Sequence, residues 1–306
     1  MTKGIPASRR TIAWRRYLPL YLLMIPGMIY LIVYRYIPMG GLIMVFKNFR
    51  ITRGILGSDW NGIQNFVQLF SVPSFPQILR NTVEISLLKL VFGFPAPIIL
   101  ALMLNELRNV ALKRTLQTAL YLPHFISWVV CGTMVFTFFG PSSGVVTKAA
   151  RDWFGIELNL MMQPSSFRGL LVVSDVWKEV GWGSIIYLAA LTGIDTSYYE
   201  AAMIDGAKKH QQLWYITIPC LMPTIMTMLL LRVGKIMNAG MEQIYVLQNS
   251  LVYDVSEILD TYIYKASFQS GQYAIGAAAG LFKSVIGLVF VLTTNKIAKR
   301  FDQEVL

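Results

Sequence analysis

The chain has 306 residues, 55% of them hydrophobic and only 14% charged, and its 27 Lys and Arg outnumber its 16 Asp and Glu. A soluble domain carries about a quarter charged residues, and one of this length needs more polar surface than this to cover its core, a need that lipid removes. The basic residues lie mainly in short segments between apolar runs, as at a cytoplasmic membrane face, and no basic stretch with interleaved aromatics stands apart as a nucleic-acid surface.

A spanning helix needs about 20 mostly apolar residues. The first candidate follows Arg9, Arg10, Arg15 and Arg16 and covers Tyr17 to Tyr34, with room to extend toward Phe46. A basic stretch before an apolar run can be a signal peptide. This run is long, contains Pro19 and Pro26, and has no small-residue cleavage site after it, so a retained first helix is expected. Further candidates cover Thr82 to Leu104, Leu116 to Phe138, Arg168 to Ala190, Thr217 to Met237 and Ala274 to Asn295. The fourth is interrupted by Asp175, Lys178 and Glu179, and the sixth holds Gly276 and Gly280, a small-xxx-small pair that lets helices approach closely. The expected fold is therefore all-α and polytopic, with six transmembrane helices.

Orientation follows from the lysines and arginines of the connecting segments. With the N-terminus inside, thirteen of them fall on the inner side: Lys3, Arg9, Arg10, Arg15, Arg16, Arg108, Lys113, Arg114, Lys208, Lys209, Lys296, Lys299 and Arg300. Eight fall on the outer side, over the much longer segments 35–81, 139–167 and 238–273, which can hold short helices but no independent core. Both termini are expected to be cytoplasmic.

Metal and redox chemistry find little support. Cys131 and Cys220 sit in or beside apolar runs as small hydrophobes, and His124 and His210 are too far apart for the common zinc motifs.

The inner segment 196–219 is different from a solvated loop. Thr196 or Ser197 can cap a helix, and Glu200 stands three residues after Ser197 at capping-box spacing. Ala201, Ala202 and Ile204 favour a short helix, Gly206 permits a sharp turn, and a second helical stretch, Ala207 to Tyr215, leads to Ile218-Pro219. Such a helix–turn–helix presents a rigid knob to a groove on a partner.

Its residues resemble the EAA loop of ABC importer permeases. Glu200-Ala201-Ala202, three residues, Gly206, nine residues, Ile216, one residue and Ile218-Pro219 follow the family's spacing, Ile218 standing where the family usually has Leu; Asp205 and Ala207 fit its longer form. The resemblance extends over about residues 78–298, a five-helix permease core preceded by one extra helix. It implies a domain arrangement of 1–77 (tail, first helix and outer segment), 78–298 (permease domain) and 299–306 (C-terminal tail). It also implies that Glu200, Ala201, Ala202, Asp205, Gly206, Ala207, Ile216 and Pro219 form a coupling helix docked in a cleft of a cytoplasmic ATPase. No cofactor is expected on this chain, which has no Walker A sequence; ATP and Mg would belong to the partner ATPase dimer.

Within that family the chain is similar to the carbohydrate group, especially bacterial polysaccharide and complex-oligosaccharide permeases. The residues that carry this are Tyr36-Ile-Pro-Met, Trp177-Lys-Glu-Val-Gly-Trp-Gly, Ala189-Ala-Leu-Thr-Gly-Ile-Asp, Tyr253-Asp-Val-Ser-Glu-Ile-Leu-Asp-Thr-Tyr and Gly280-Leu-Phe-Lys-Ser-Val-Ile-Gly. The group implies a second, non-identical permease, an extracytoplasmic solute-binding lipoprotein, a carbohydrate substrate, an oligosaccharide, and residence in the bacterial cell membrane. The large extracytoplasmic insertion of the maltose-type subunit is missing.

Ionisable residues inside a membrane face a pathway or a partner. Asp175, Lys178 and Glu179 share one helix face, with Trp177 and Trp182 nearby, and either line a substrate path or pair to hold helices together. Lys283, and Glu84 with Lys89, are weaker candidates, while Arg232 and Lys235 are expected to snorkel toward the surface. An ABC permease for another solute such as glycerol phosphate is the alternative within transport. An ion-coupled secondary transporter would need no coupling loop and would tolerate Glu200→Lys. An intramembrane enzyme has no HExxH or clustered His, Cys and acid to support it.

Overall fold

In hydrocarbon every backbone N–H and C=O must be satisfied within the chain, so a sequence this apolar folds as helices. The computed structural model describes residues 7–298, with side chains from 17 to 296. Lys3, Arg9, Arg10, Arg15 and Arg16, and the tail 299–306 with Lys299 and Arg300, fall outside the side chains described. Among the described residues there is no strand, only an isolated bridge between Lys47 and Trp60.

Helix α1 (Ala7–Leu31) passes Pro19 and Pro26 without a break and continues through a π turn (Ile32–Tyr36) into a 3-10 segment (Gly40–Phe46). Tyr17–Phe46 is thus one apolar element of 30 residues, with its most apolar stretch unburied. Only its far end packs, against the last helix. Asn65 anchors that end by donating to the carbonyls of Val45 (2.7 Å) and Lys47 (3.0 Å) from α2 (Gln64–Ser71). The second span is α3 (Phe75–Gly93) followed across Phe94 by α4 (Pro95–Asn105).

The third span departs from expectation. Leu116 to Phe138 is not one straight helix: α5 (Val110–Tyr121) with its 3-10 end Leu122–Phe125 is bent by 106° from α6 (Trp128–Phe139). Pro123 supplies no N–H, and Ser127, in extended conformation, restarts the helix by accepting from Val130 N at 3.3 Å. The carbonyls of Pro123 and His124 accept from Lys178 Nζ, at 3.4 and 2.6 Å, Pro123 O accepting from Ile126 N as well. An amphipathic helix, α7 (Val145–Phe154), ends on Gly155 in left-handed conformation.

Helix α8 (Pro164–Thr192) is the hub. Its 29 residues reach about 43 Å at 1.5 Å per residue. Phe167, Leu171, Ser174, Lys178, Gly181, Ser184, Leu188 and Leu191 are buried at helical spacing along one face, which packs on α3, α4 and α5. Segment 196–219 gives α9 (Thr196–Ile204) and α10 (Lys209–Gln212). A π turn (Leu213–Thr217) then joins α10 to α11 (Ile218–Val233) without interruption.

The segment expected to be an outer loop, 238–273, is only partly exposed, and several of its side chains are packed into the bundle. It forms α12 (Met241–Leu247), α13 (Tyr253–Ser256) and α14 (Leu259–Tyr264), and Gln243, Ile244, Val252, Ile258 and Leu259 are inaccessible to solvent. It makes no core of its own: Ile244, Leu247, Val252 and Ile258 share one with Ile85, Phe167 and Leu171 of α3 and α8. The chain closes with α15 (Tyr273–Ala298), where Gly276 meets the Ser267 side chain closely while Gly280 faces open space.

Four of these elements are long and apolar enough to cross a membrane: Tyr17–Phe46, Phe75–Asn105, Lys209–Val233 and Tyr273–Lys296. The bent pair makes a fifth if it counts as one. Helix α8 has the length, but Arg168, Asp175, Lys178 and Glu179 keep it outside that apolar class.

Candidate coupling loop and translocation cavity

The loop 196–219 is built to project. Asp195, one residue before the expected cap, accepts from Ser197 N at 2.9 Å and starts α9. That hydrogen bond, first, and the Ser197 hydroxyl hold the Asp195 carboxyl below its ordinary value. Helix α9 ends where Ala207 N donates to Ala202 O (2.8 Å) and Gly206 N to Met203 O (3.1 Å), with Gly206 at φ 78°. The following turn is braced by Lys208 N to Gln211 Oε1 (2.8 Å) and Gln212 Nε2 to Ala207 O (3.1 Å). Tyr199 Oη and Thr217 Oγ1 at 2.9 Å tie α9 to the root of α11, and Lys209 Nζ pairs with Glu106 Oε2 at 2.5 Å beyond the end of α4. The loop is thus fixed on its inner side. Its outer side presents Glu200, Ala201, Asp205 and Gly206 with Tyr198, Met203 and Ile204, the last 87% exposed. Ala202, Ala207 and Ile216 are half-buried against the brace, and Pro219 is exposed beside it.

A cavity of about 920 Å³ opens between α3, α4, α8 and α11. Its polar wall is Lys89, Asp175, Glu179, Arg232 and Lys235, and its aromatic wall includes Phe94, Trp182 and Tyr187. Lys89, 6% exposed, donates to Asp175 Oδ1 at 2.9 Å and to Gln243 Oε1. Gln243 is oriented for this because its amide donates to Leu171 O (2.7 Å) and Ser174 Oγ (2.8 Å). This network pins the returning segment α12 to α3 and α8, and Lys89 Nζ sits under the left-handed Gly240 at the entry to α12. Arg232 Nη2 stands 3.9 Å from Asp175 Oδ2. Glu179 bonds His124 Nδ1 at 2.8 Å and lies 3.6 Å from Lys178, while Trp182 stacks on His124 at 4.6 Å.

Of the sequence candidates, Asp175, Glu179 and Trp182 reach this cavity. Lys178 does not: it is 5% exposed and turns to the carbonyls of the broken helix, with Trp128 beneath it. Trp177 faces outward, 42% exposed, and Lys283 pairs with Asp260 at 2.5 Å, joining α15 to α14. Arg232 and Lys235, expected to snorkel, line the cavity instead. His124 and Gln243 carried no sequence signal, because their partners are 55, 69 and 154 positions away. No cluster of metal-ligating side chains occurs among the described residues.

Lipid-length helices around a charged cavity are the frame of a membrane transport subunit. The chain belongs to the family of binding-protein-dependent transport system inner membrane components, whose profile matches residues 93–303. It is 43% identical to Protein LplB of Bacillus subtilis (93% of this chain, 90% of that protein). It is 39% identical to the polygalacturonan/rhamnogalacturonan transport system permease protein YteP of the same organism (93% and 89%). A crystallised bacterial ABC transporter involved in import of the acidic polysaccharide alginate matches with TM-score 0.87 and 39% identity over 95% of this chain and 99% of that one. A bacterial alginate ABC transporter in complex with an alginate pentasaccharide-bound periplasmic protein matches equally well, at 38% identity over 95% and 98%. This chain is accordingly the inner-membrane component of a binding-protein-dependent transport system, a transport subunit and not an enzyme.

Proposed function

We propose that this subunit passes an oligosaccharide bearing carboxylates, delivered by a solute-binding protein, through a path that includes the cavity between α3, α4, α8 and α11. The observation that carries the reading is the cavity wall, where three cations, two acids and Trp182, itself stacked on His124 behind it, share one space. Indole faces suit the apolar faces of sugar rings, cations suit uronate groups, and the volume lies near the top of the ~300–1,000 Å³ range of clefts that enclose small ligands. The relatives named for acidic polysaccharides support the same substrate class.

Energy enters through the inner loop. Glu200, Ala201, Ala202, Asp205, Gly206, Ala207, Ile216 and Pro219 form the ATPase-coupling element: α9 offers an exposed apolar ridge with Glu200 on it, and its brace transmits push to α11. Nucleotide and Mg belong to the ATPase, and this chain binds no cofactor. The chain crosses six times with both termini inside, α8 serving as a crossing whose charges are sheltered by the bundle. Its permease domain is 78–298, with the N-terminal unit 1–77 and the tail 299–306, and it pairs with a second, non-identical permease.

The test is reconstitution of this chain with its second permease, ATPase and binding protein in liposomes, followed by uptake of an oligogalacturonide. ATP-dependent uptake that Glu200→Lys abolishes, together with ATPase co-elution, is expected. An ATPase that never co-elutes, or a Glu200→Lys complex that transports normally, refutes the coupling assignment. Failure of the intact complex to accumulate any uronate oligosaccharide refutes the substrate assignment.

A further inference from the structure

The charged groups of the cavity wall differ in how far they are already committed. Lys89 is held by Asp175 and Gln243. Glu179 is held by His124 and Lys178. Asp175 spends Oδ1 on Lys89 and leaves Oδ2 3.9 Å from Arg232, past hydrogen-bond length. Arg232 makes one long hydrogen bond, from Nη2 to Lys89 O at 3.4 Å, so most of its fork of donors is unused. Lys235 has no side-chain partner among the described residues and is exposed at the cavity wall. The two uncommitted charges are therefore both cations, three residues apart at the same end of α11, beside a volume of about 920 Å³.

We infer that Arg232 and Lys235 are the carboxylate-recognising pair of the translocation path, and that Asp175 is the internal placeholder that keeps Arg232 aimed when no substrate is present. This rests on the proposed substrate class. A guanidinium fork accepts both oxygens of a carboxylate. A neighbouring ammonium adds a point charge with no fixed direction, which suits a substrate that must move on. Asp175 cannot release Lys89, which is buried, but it can release Arg232, which it barely holds; an incoming carboxylate then exchanges with Oδ2 at little net cost. The geometry makes Arg232 the mobile member and Lys89–Asp175–Gln243 the fixed frame. Trp182, stacked on His124, supplies a flat wall in the same cavity for the sugar ring.

The experiment uses the full reconstituted complex and two probes: a tri- to pentagalacturonide and its methyl ester, the same backbone without charge. Arg232→Gln and Lys235→Gln are each expected to raise the uptake KM for the acid form about tenfold, the equivalent of ~1.4 kcal/mol. Arg232→Lys, which keeps the charge but not the fork, is expected to fall between. The KM for the ester, ATPase co-elution and the affinity of the isolated binding protein are expected to stay as they are. Equal shifts for acid and ester, or no shift for the acid, overturn the inference. So does disassembly of the complex in Arg232→Lys, which would make Arg232 a partner of the second permease. Uptake by the unaltered complex tests the substrate class separately: if it takes up neither probe, that class falls, whereas normal uptake with unresponsive variants removes the carboxylate pair alone.

Discussion

Replacing Gly206 by alanine alters the coupling loop through its backbone alone. Gly206 has φ 78°, and a Cβ placed on it would meet no heavy atom within 4 Å. The cost is therefore the intrinsic penalty of a left-handed L-residue, about 1–2 kcal/mol, with no clash added. That is a factor of roughly 5–30 in the balance between the observed turn and a relaxed one. A relaxed turn breaks the Ala207 N to Ala202 O bond and re-aims α9, which carries Glu200 and the exposed Ile204. Gly206→Ala should lower the affinity of the permease for its ATPase by about that factor, measured by titrating purified ATPase onto the permease in detergent. Gly206→Asn should recover most of it, because Asn tolerates the left-handed region. If Asn is as damaging as Ala, side-chain bulk on the partner surface is at work and the strain reasoning fails; if Ala binds like Gly, the turn does not set the docking geometry.

Other perturbations test the frame. A Cβ on Gly181 would overlap the backbone carbonyl of Leu120, so Gly181→Ala forces α8 off α5. It should cost about 1–3 kcal/mol, seen as a lower Tm of the solubilised chain, whereas Gly169→Ala on the same helix, with nothing within 4 Å, should not lower it. Gln243→Leu leaves the buried Lys89 ammonium one acceptor short and should cost about 1.5–3 kcal/mol in the same melt. The Asp195 carboxyl lies below its ordinary value, so the cap it provides is complete above the normal aspartate range near pH ~4 and is lost as pH falls through the lowered folded value. The protection factors of the Ser197 and Tyr198 amides, exchange rates divided out by the intrinsic rate at each pH, should therefore be flat from neutrality down to that range and fall only beneath it; protection lost near neutrality would contradict the cap.

Local chemistry wrote much of this molecule into its sequence. Apolar runs with no water around them have only the helix available, so the spans near Tyr17, Thr82, Thr217 and Ala274 could be read directly. The first helix and Gly206 turn of segment 196–219 were equally legible, being short-range events, although the cap is Asp195 and not Thr196 or Ser197, and the second helix is Lys209–Gln212 continued by a π turn. Tertiary structure decided the rest. Pro123, which has no N–H, permitted a break in the third span, and Lys178, 54 and 55 positions on, donates to the carbonyls of His124 and Pro123 at that 106° bend. Segment 238–273 reads as an outer loop because it is polar and interrupted; what packs part of it into the bundle is Gln243 finding Lys89, Leu171 and Ser174 across the chain. The same holds for charge. Sequence could place Asp175, Lys178 and Glu179 on one helix, but not assign them partners. Which charges are spent on holding helices, and which remain free at the end of α11, depends on distances between residues far apart along the chain.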